Sequence, residues 1–421
     1  MTLMQIASLL IVLAGAFGAI NYLFLKLPGA IGILVVALAA SLTVMGLDAL
    51  LPGMAVTAHI SSVVKEFEFS DALLEGMLGL LLFAGSMHVK LSDLRGEWPV
   101  VLLMATLGVG LSAAVVGLGF SWITGMPLLI ALVFGALISP TDPVAVLGVL
   151  RDASLPKTLE TKIAGESLFN DGVGYVVYLV LVGLAFPAVS GHGAGAGEAS
   201  QFEIASRLFI QEALGGALLG AVLGWMTFEV MRRIDDYPLE VLITLGLAFG
   251  GYQLAVAIHV SGPIMAVVAG LFIGDLGMKY AMCEETRKYV AAFWIMIDEI
   301  LNAVLFLMIG VEVFAIAFSM TAIKAGLLAI GLALLARLVA VAVPVFLLRP
   351  FRRFSRGVIP IMTWGGLKGG ISVALALGLP DGEWKPIILT ATYVVVVFSI
   401  IIQGLTVGKL ATRLGREPEL M

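Results

Sequence analysis

Charge is what this chain has least of. Only 13% of its 421 residues are Asp, Glu, Lys or Arg, against about a quarter in an ordinary soluble domain. The hydrophobic share is 60% and the mean hydropathy +1.09, an excess no globular core can bury. A water-soluble fold is excluded, and an integral membrane protein is indicated. Cysteine is nearly absent as well: Cys283 stands alone, so no internal disulfide can form. The net charge is −5 and thinly spread, and nothing in it points to nucleic acid. The ten-residue alternating segments of a transmembrane barrel are missing too. No Lys or Arg precedes the first apolar run, and no small-residue cleavage signal follows it. That run reads as a retained span, not a signal peptide.

What is present is a series of long apolar runs. A membrane helix needs about 20 mostly apolar residues. Thirteen runs qualify, near 5–25, 28–51, 73–89, 98–123, 127–150, 160–189, 205–231, 238–260, 262–275, 289–315, 322–348, 357–379 and 386–408. The fold class expected is therefore an all-α polytopic membrane protein. A Gly-rich stretch, SGHGAGAGEAS at 190–200, reads as a flexible linker after the sixth span.

The basic residues set the orientation. Eighteen lie in the loops after odd-numbered spans or in the C-terminal segment, and four (Lys65, Arg207, Lys324 and Lys385) lie after even-numbered ones. Cytoplasmic loops carry the excess of Lys and Arg. The N-terminus is expected outside and the C-terminus in the cytoplasm, in a multi-pass protein of the cell (inner) membrane. The remaining two basic residues, Arg337 and Lys368, fall inside spans.

Two spans of opposite direction are interrupted. The fifth carries SPTDPVAV at 139–146 and the twelfth WGGLKGGIS at 364–372. Broken spans in corresponding positions of two halves indicate an inverted-repeat transporter with its site near the midplane. Pro140 and Pro143 flank Thr141 and Asp142, so the helix should unwind there and free carbonyls near Thr141. Such backbone is tolerated at membrane depth only where it lines a cavity or binds something. Asp142 lies nine residues before Arg151, roughly 14 Å from the cytoplasmic edge at the helical rise.

Five ionisable residues fall inside the spans: Asp142, Glu166, Asp171, Arg337 and Lys368. Each costs at least about 2.5–3.5 kcal/mol at the bilayer centre, so each needs a partner or a task. On the sixth span Ser167 and Asp171 stand four apart and share a face, with Asn170 beside it. Glu166 points about 140° away. Oxygen ligands from Ser167, Asn170, Asp171 and Thr141 suit a small hard cation, and no intramembrane His or Cys cluster offers a zinc or copper site. The bland readings are structural: Asp171 as a capped carboxylate, Asp142 as a partner of the broken span, Glu166 as an ion-pair partner of Arg337. The last is preferred for Glu166. Lys368 is expected to neutralise frayed helix ends and a nearby carboxylate. Asp298 and Glu299 read as interfacial, and His88 and His259 as bystanders at span ends.

The segments SPTDPVAVLGVL, KIAGESLFNDGVG, LNAVLFLMIGVEV and WGGLKGGISVALAL resemble the signature segments of the monovalent cation:proton antiporter-1 family. The likeness is to its prokaryotic NhaP-type sodium/proton antiporters, from about residue 5 to 410. The Asn-Asp pair within ESLFNDG is the specific part. The resemblance implies 13 helices, two inverted six-helix repeats and a homodimer. It implies scaffold helices in 1–92 and 236–316, transport helices in 93–190 and 317–421, and a linker helix in 191–235. Asp171 would be the carboxylate binding cation and proton, supported by Asn170, Ser167, Thr141 and Asp142. Sodium would meet Asp171, Ser167 and Thr141, and Glu166 and Arg337 would form a core ion pair. Two departures stand out. Ala84 occupies the place of an acid in many relatives' third span, and Glu75 is no equivalent. Lys368 replaces a common Arg and loses its bidentate geometry. No long cytoplasmic tail is expected, and hence no regulatory domain.

The function expected is sodium (or lithium)–proton antiport by alternating access, in a bilayer and without a cofactor. With Asn at 170, only Asp171 clearly titrates on the binding face, so exchange is expected to be one for one. Potassium–proton exchange is the main alternative, and a cation channel the rival of another class. An intramembrane aspartyl protease would also need two Asp residues, but the chain has no GxGD motif.

Overall fold

The computed structural model describes residues 3–50, 57, 60–61, 76–142, 146, 157–186, 201–314, 316, 319–355 and 357–414. Pro143, Arg151, Glu75 and the 190–200 linker lie outside them. Among the described residues the chain is helical, without a strand. In lipid a helix satisfies its own backbone groups, which an open strand cannot.

The elements are α1 (Leu3–Ile20), α2 (Gly29–Leu50), α3 (Leu78–Met87), α4 (Leu91–Thr124), α5 (Leu128–Ile138), α6 (Lys157–Ala185) and α7 (Gln201–Met231), then α8 (Tyr237–Ala257), α9 (Gly262–Tyr280), α10 (Glu284–Val311), α11 (Met320–Leu348), α12 (Val358–Trp364), α13 (Gly370–Leu377) and α14 (Lys385–Leu414). Ten of these, namely α1, α2, α4, α6 to α11 and α14, are long and apolar enough to cross a membrane, and α3 and α5 are shorter apolar helices. Each of the ten falls on an apolar run expected from sequence. The run at 357–379 is two half-helices, α12 and α13, separated by non-helical residues 365–369.

Several starts are capped by side chains. Asp236, Ser261 and Ser319 accept the backbone N–H of Leu239, Ile264 and Ala322 at the heads of α8, α9 and α11, each satisfying a donor the helix leaves open. Cys283 does the same for Thr286 through sulfur and starts α10 at Glu284, earlier than hydropathy alone implies.

Two groups of helices pack around the site. In one, α5 and α6 lie against α4, while α11 lies between α4 and α14. The buried face of α11 is a stripe of small residues, Ala322, Ala325, Ala329, Ala333, Ala336 and Ala340, which lets neighbouring backbones approach closely. In the other, α9 packs on α3, α7 and α8, and α10 on α2 and α3.

Candidate functional site

The break after α5 and the break between α12 and α13 meet. The backbone N–H of Asp142 donates to the Leu367 carbonyl at 2.8 Å. The Lys368 ammonium donates to the carbonyls of Ser139 and Pro140 at 2.9 and 3.3 Å. Carbonyls that the lost helical turns would have paired are thus satisfied by a buried cation, which also meets the negative end of α5. Helix α14 completes the job. Its Ser399 accepts the Lys368 N–H at 2.8 Å, and its Gln403 caps the Trp364 carbonyl at 2.9 Å. Ser399 and Gln403 bound a wide π-type turn, a local form frequent at functional sites. At Gly369 a Cβ would fall 2.6 Å from the Asp142 Cβ, so the two breaks approach this closely only because residue 369 has no side chain.

Helix α6 presents two polar directions but divides its residues between them differently from the expectation, with Ser167 and Asn170 parting from Asp171. Glu166 is turned to α11, where its two oxygens receive Arg337 Nη1 and, at 2.7 Å, Nη2. Arg337 Nε donates to the Met362 carbonyl at the end of α12. Both partners are buried, and the fork geometry is the one that makes such a pair strong. Gly366 leaves room for the guanidinium, since a Cβ there would overlap Arg337 Nε.

Asn170 links this pair to the break. Its Oδ1 accepts the Thr141 N–H at 3.2 Å, and its Nδ2 donates to Thr141 Oγ1 at 2.8 Å and Glu166 Oε1 at 3.4 Å. Ser167 Oγ lies 3.0 Å from Thr141 Oγ1. Thr141 is therefore held by three hydrogen bonds with α6, at its backbone N–H and its Oγ1. Asn170 and Ser167 sit one layer behind the cavity wall, and Thr141 is the residue they present to it.

The Asp171 side chain takes the other direction. It is 6% exposed, and among the described residues none donates a hydrogen bond to its carboxylate. Its charged neighbours are Asp142, Lys368 and Glu166. It lines a cavity of about 60 Å³ together with Thr141, Asp142, Asp298, Asn302 and Ser372. Leu81, Leu82 and Gly85 of α3 close the opposite wall. The cavity thus lies between the two helix groups, with α3 and α10 on one side and α6 and the two breaks on the other.

One expectation is corrected here. Asp298 is not interfacial; it lines the Asp171 cavity, and Asn302 Nδ2 binds its carboxylate at 3.0 Å. Asp298 stands about 21 Å along α10 from its first residue, Glu284. The spacing of Asp298 and Asn302, four apart on an otherwise apolar helix, was the available signal. Ala84 is fully buried in α3 and supplies no oxygen; the additional carboxylate in the cavity comes from α10 instead.

Chemically the cavity offers hard oxygen donors and no soft ones, a set suited to a small alkali cation or to protons. Asp142, Glu166, Asp171, Arg337 and Lys368 sum to one negative charge when all are ionised, and Asp298 of α10 adds a further carboxylate to the cavity.

Comparison with known proteins is consistent over the whole length. Residues 7–413 match the family model of the transmembrane sodium/hydrogen exchangers. The chain is 47% identical to the Na(+)/H(+) antiporter NhaP of Pseudomonas aeruginosa, over 94% of this chain and 93% of that one. It is 36% identical to the Na(+)/H(+) antiporter NhaH of Halobacillus dabanensis, over 82% and 84%. The fold superposes on the sodium proton antiporter MjNhaP1 of Methanocaldococcus jannaschii at pH 8 with a TM-score of 0.77, covering 98% of this chain and 99% of that one at 19% identity. With a multi-pass helical fold, two helix breaks in contact and a carboxylate left open beside them, the chain belongs to the sodium/hydrogen exchanger family, as a secondary transporter of the NhaP type and not an enzyme.

Proposed function

We propose that this protein exchanges sodium or lithium for protons across the membrane, with the two ions competing for Asp171. The observation that carries the reading is the state of that carboxylate. It is buried among helices, faces a cavity and has no protein donor among the described residues, whereas Glu166, one and a half turns away, is fully paired. A buried carboxylate is costly without a partner, and a cation or a proton is the partner that removes the cost. Thr141 and Asp142 complete the oxygen set, with Ser167 and Asn170 holding Thr141 in place.

The stoichiometry follows from the charges. One sodium or one proton occupies Asp171, so the group of helices that carries it crosses with the same net charge in both loaded forms, and exchange is electroneutral. Alternating access is a displacement of the group containing α4–α6 and α11–α14 against the group containing α1–α3 and α8–α10, since the cavity lies on their border. We read these as the two related halves' transport and scaffold parts, with α7 as linker, a 13-span count, an external N-terminus, a cytoplasmic C-terminus and a homodimeric assembly. The excess of basic residues after odd-numbered spans supports the orientation.

The test is reconstitution of purified Asp171→Asn. The amide keeps size but cannot titrate. Proton flux driven by sodium or lithium, read with a trapped pH dye, is expected to vanish while the protein remains folded. Sodium-dependent flux at the wild-type rate in Asp171→Asn rules the assignment out, and flux driven equally by potassium rules out the selectivity.

A further inference from the structure

The face of α10 that lines the Asp171 cavity continues past it. Asp298, Asn302, Leu305, Ile309 and Glu312 recur at steps of four, three, four and three residues, which keeps all of them within about 40° of the Asp298 direction. Leu305, Ile309 and Glu312, with Met308, Gly370 and Val373, line a second cavity of about 10 Å³, near the lower limit for one water. Leu305 and Gly370 belong to the walls of both cavities. A Cβ at Gly370 would overlap Leu305 Cδ1. Glycine therefore lets Leu305 seat on the head of α13 and separate the two spaces.

Glu312 lies beyond that seal, at the turn that ends α10 and about 21 Å from Asp298 along the helix. It is 2% exposed, and its Oε2 has no hydrogen-bond partner. Among the described residues no Lys or Arg pairs with it. Helix α13 carries no titratable side chain, and α2, which also packs on this turn, carries Asp48 alone. On α14 the titratable group facing it is Tyr393, close enough to interact electrostatically and with its own hydroxyl unpartnered. An acid with an open oxygen is a costly choice for packing alone, yet it stands on the stripe that leads to the ion cavity.

We propose that Glu312 is the relay carboxylate of the opposite passage. When the helix groups shift and the Leu305–Gly370 seal opens, the ion leaving Asp171, sodium or proton, passes to Glu312 before it reaches water at that end of α10. A proton arriving there neutralises the carboxylate and is then given up to water; a sodium ion is held by the ionised form. This relay rests on exchange at Asp171.

The test separates the two sides of the membrane. Cys283 is the sole cysteine and is exposed at the far end of α10, so an impermeant maleimide reports insertion in proteoliposomes. Apparent sodium KM and the pH profile are then measured with substrate on each face. Glu312→Gln is expected to raise the sodium KM severalfold and flatten the pH profile on the Glu312 face alone, with Glu312→Asp restoring both. Unchanged values on both faces, or equal changes on both, overturn the relay. A second variant guards against a folding defect. Leu305→Ala, which opens the seal, is expected to add a passive proton leak that Glu312→Gln suppresses in the double variant; a leak indifferent to residue 312 also overturns it. Retained exchange in Asp171→Asn would instead remove the reading beneath.

Discussion

Replacing Glu166 by Gln should cost the fold more than it costs the chemistry. The side chain is 1% exposed and meets the guanidinium of Arg337, itself 6% exposed, with both oxygens. Removing one partner of such a pair leaves an uncompensated buried charge, at about 3–5 kcal/mol. Arg337→Gln should cost more than Glu166→Gln. It also frees the Met362 carbonyl that Arg337 Nε caps at 3.1 Å, and an unsatisfied buried acceptor adds about 1–3 kcal/mol. In the double variant neither charge remains, so the penalties should overlap by about 2–3 kcal/mol, at the upper end for residues in contact. The assay is thermal unfolding of the purified wild type, both single variants and the double variant in one detergent. A double variant as unstable as the sum of the singles would show that the two side chains do not stabilise each other, and the ion pair would lose its role.

Two further outcomes test the geometry around the breaks. Gly369→Ala should impair transport strongly, because its methyl meets Asp142 at 2.6 Å and forces the two breaks apart; wild-type turnover in a folded Gly369→Ala protein would show that their close approach is unimportant. Clamping the membrane voltage in liposomes should leave the sodium gradient sustained at fixed ΔpH unchanged, since moving one net charge per cycle would couple by about 2.3 kcal/mol per 100 mV; a gradient that follows the imposed voltage refutes one-for-one exchange.

Much of this site was legible before any coordinates. Pro140 and Pro143 announced the first break, and the Gly-rich WGGLKGG the second. The four-residue step from Ser167 to Asp171, with Glu166 off that face, gave two polar directions; in the structure Ser167 and Asn170 turn to Thr141, and Asp171 alone of that face lines the cavity. Depth was harder to read. Asp298 stands near one end of its apolar run, and that it lines the Asp171 cavity depends on how α10 packs, which the run does not show. Ser399 and Gln403 were also overlooked, although two polar residues four apart in VVVVFSIIIQG mark one face of α14. The carbonyls of Ser139, Pro140, Met362 and Leu367 had no sequence signal of their own. Their partners exist only because two distant breaks fold against each other, and that is a tertiary fact.

Competition for Asp171 is tested most directly by the apparent sodium KM of the wild-type protein as a function of pH, in proteoliposomes without a membrane potential. A proton and a sodium ion sharing one carboxylate require the KM to rise about tenfold for each unit by which the pH falls in the acidic range, and to be level at higher pH where the group is fully ionised. A KM independent of pH would mean that the two ions do not share a site, and a rise of about a hundredfold per unit would mean that a second proton is displaced.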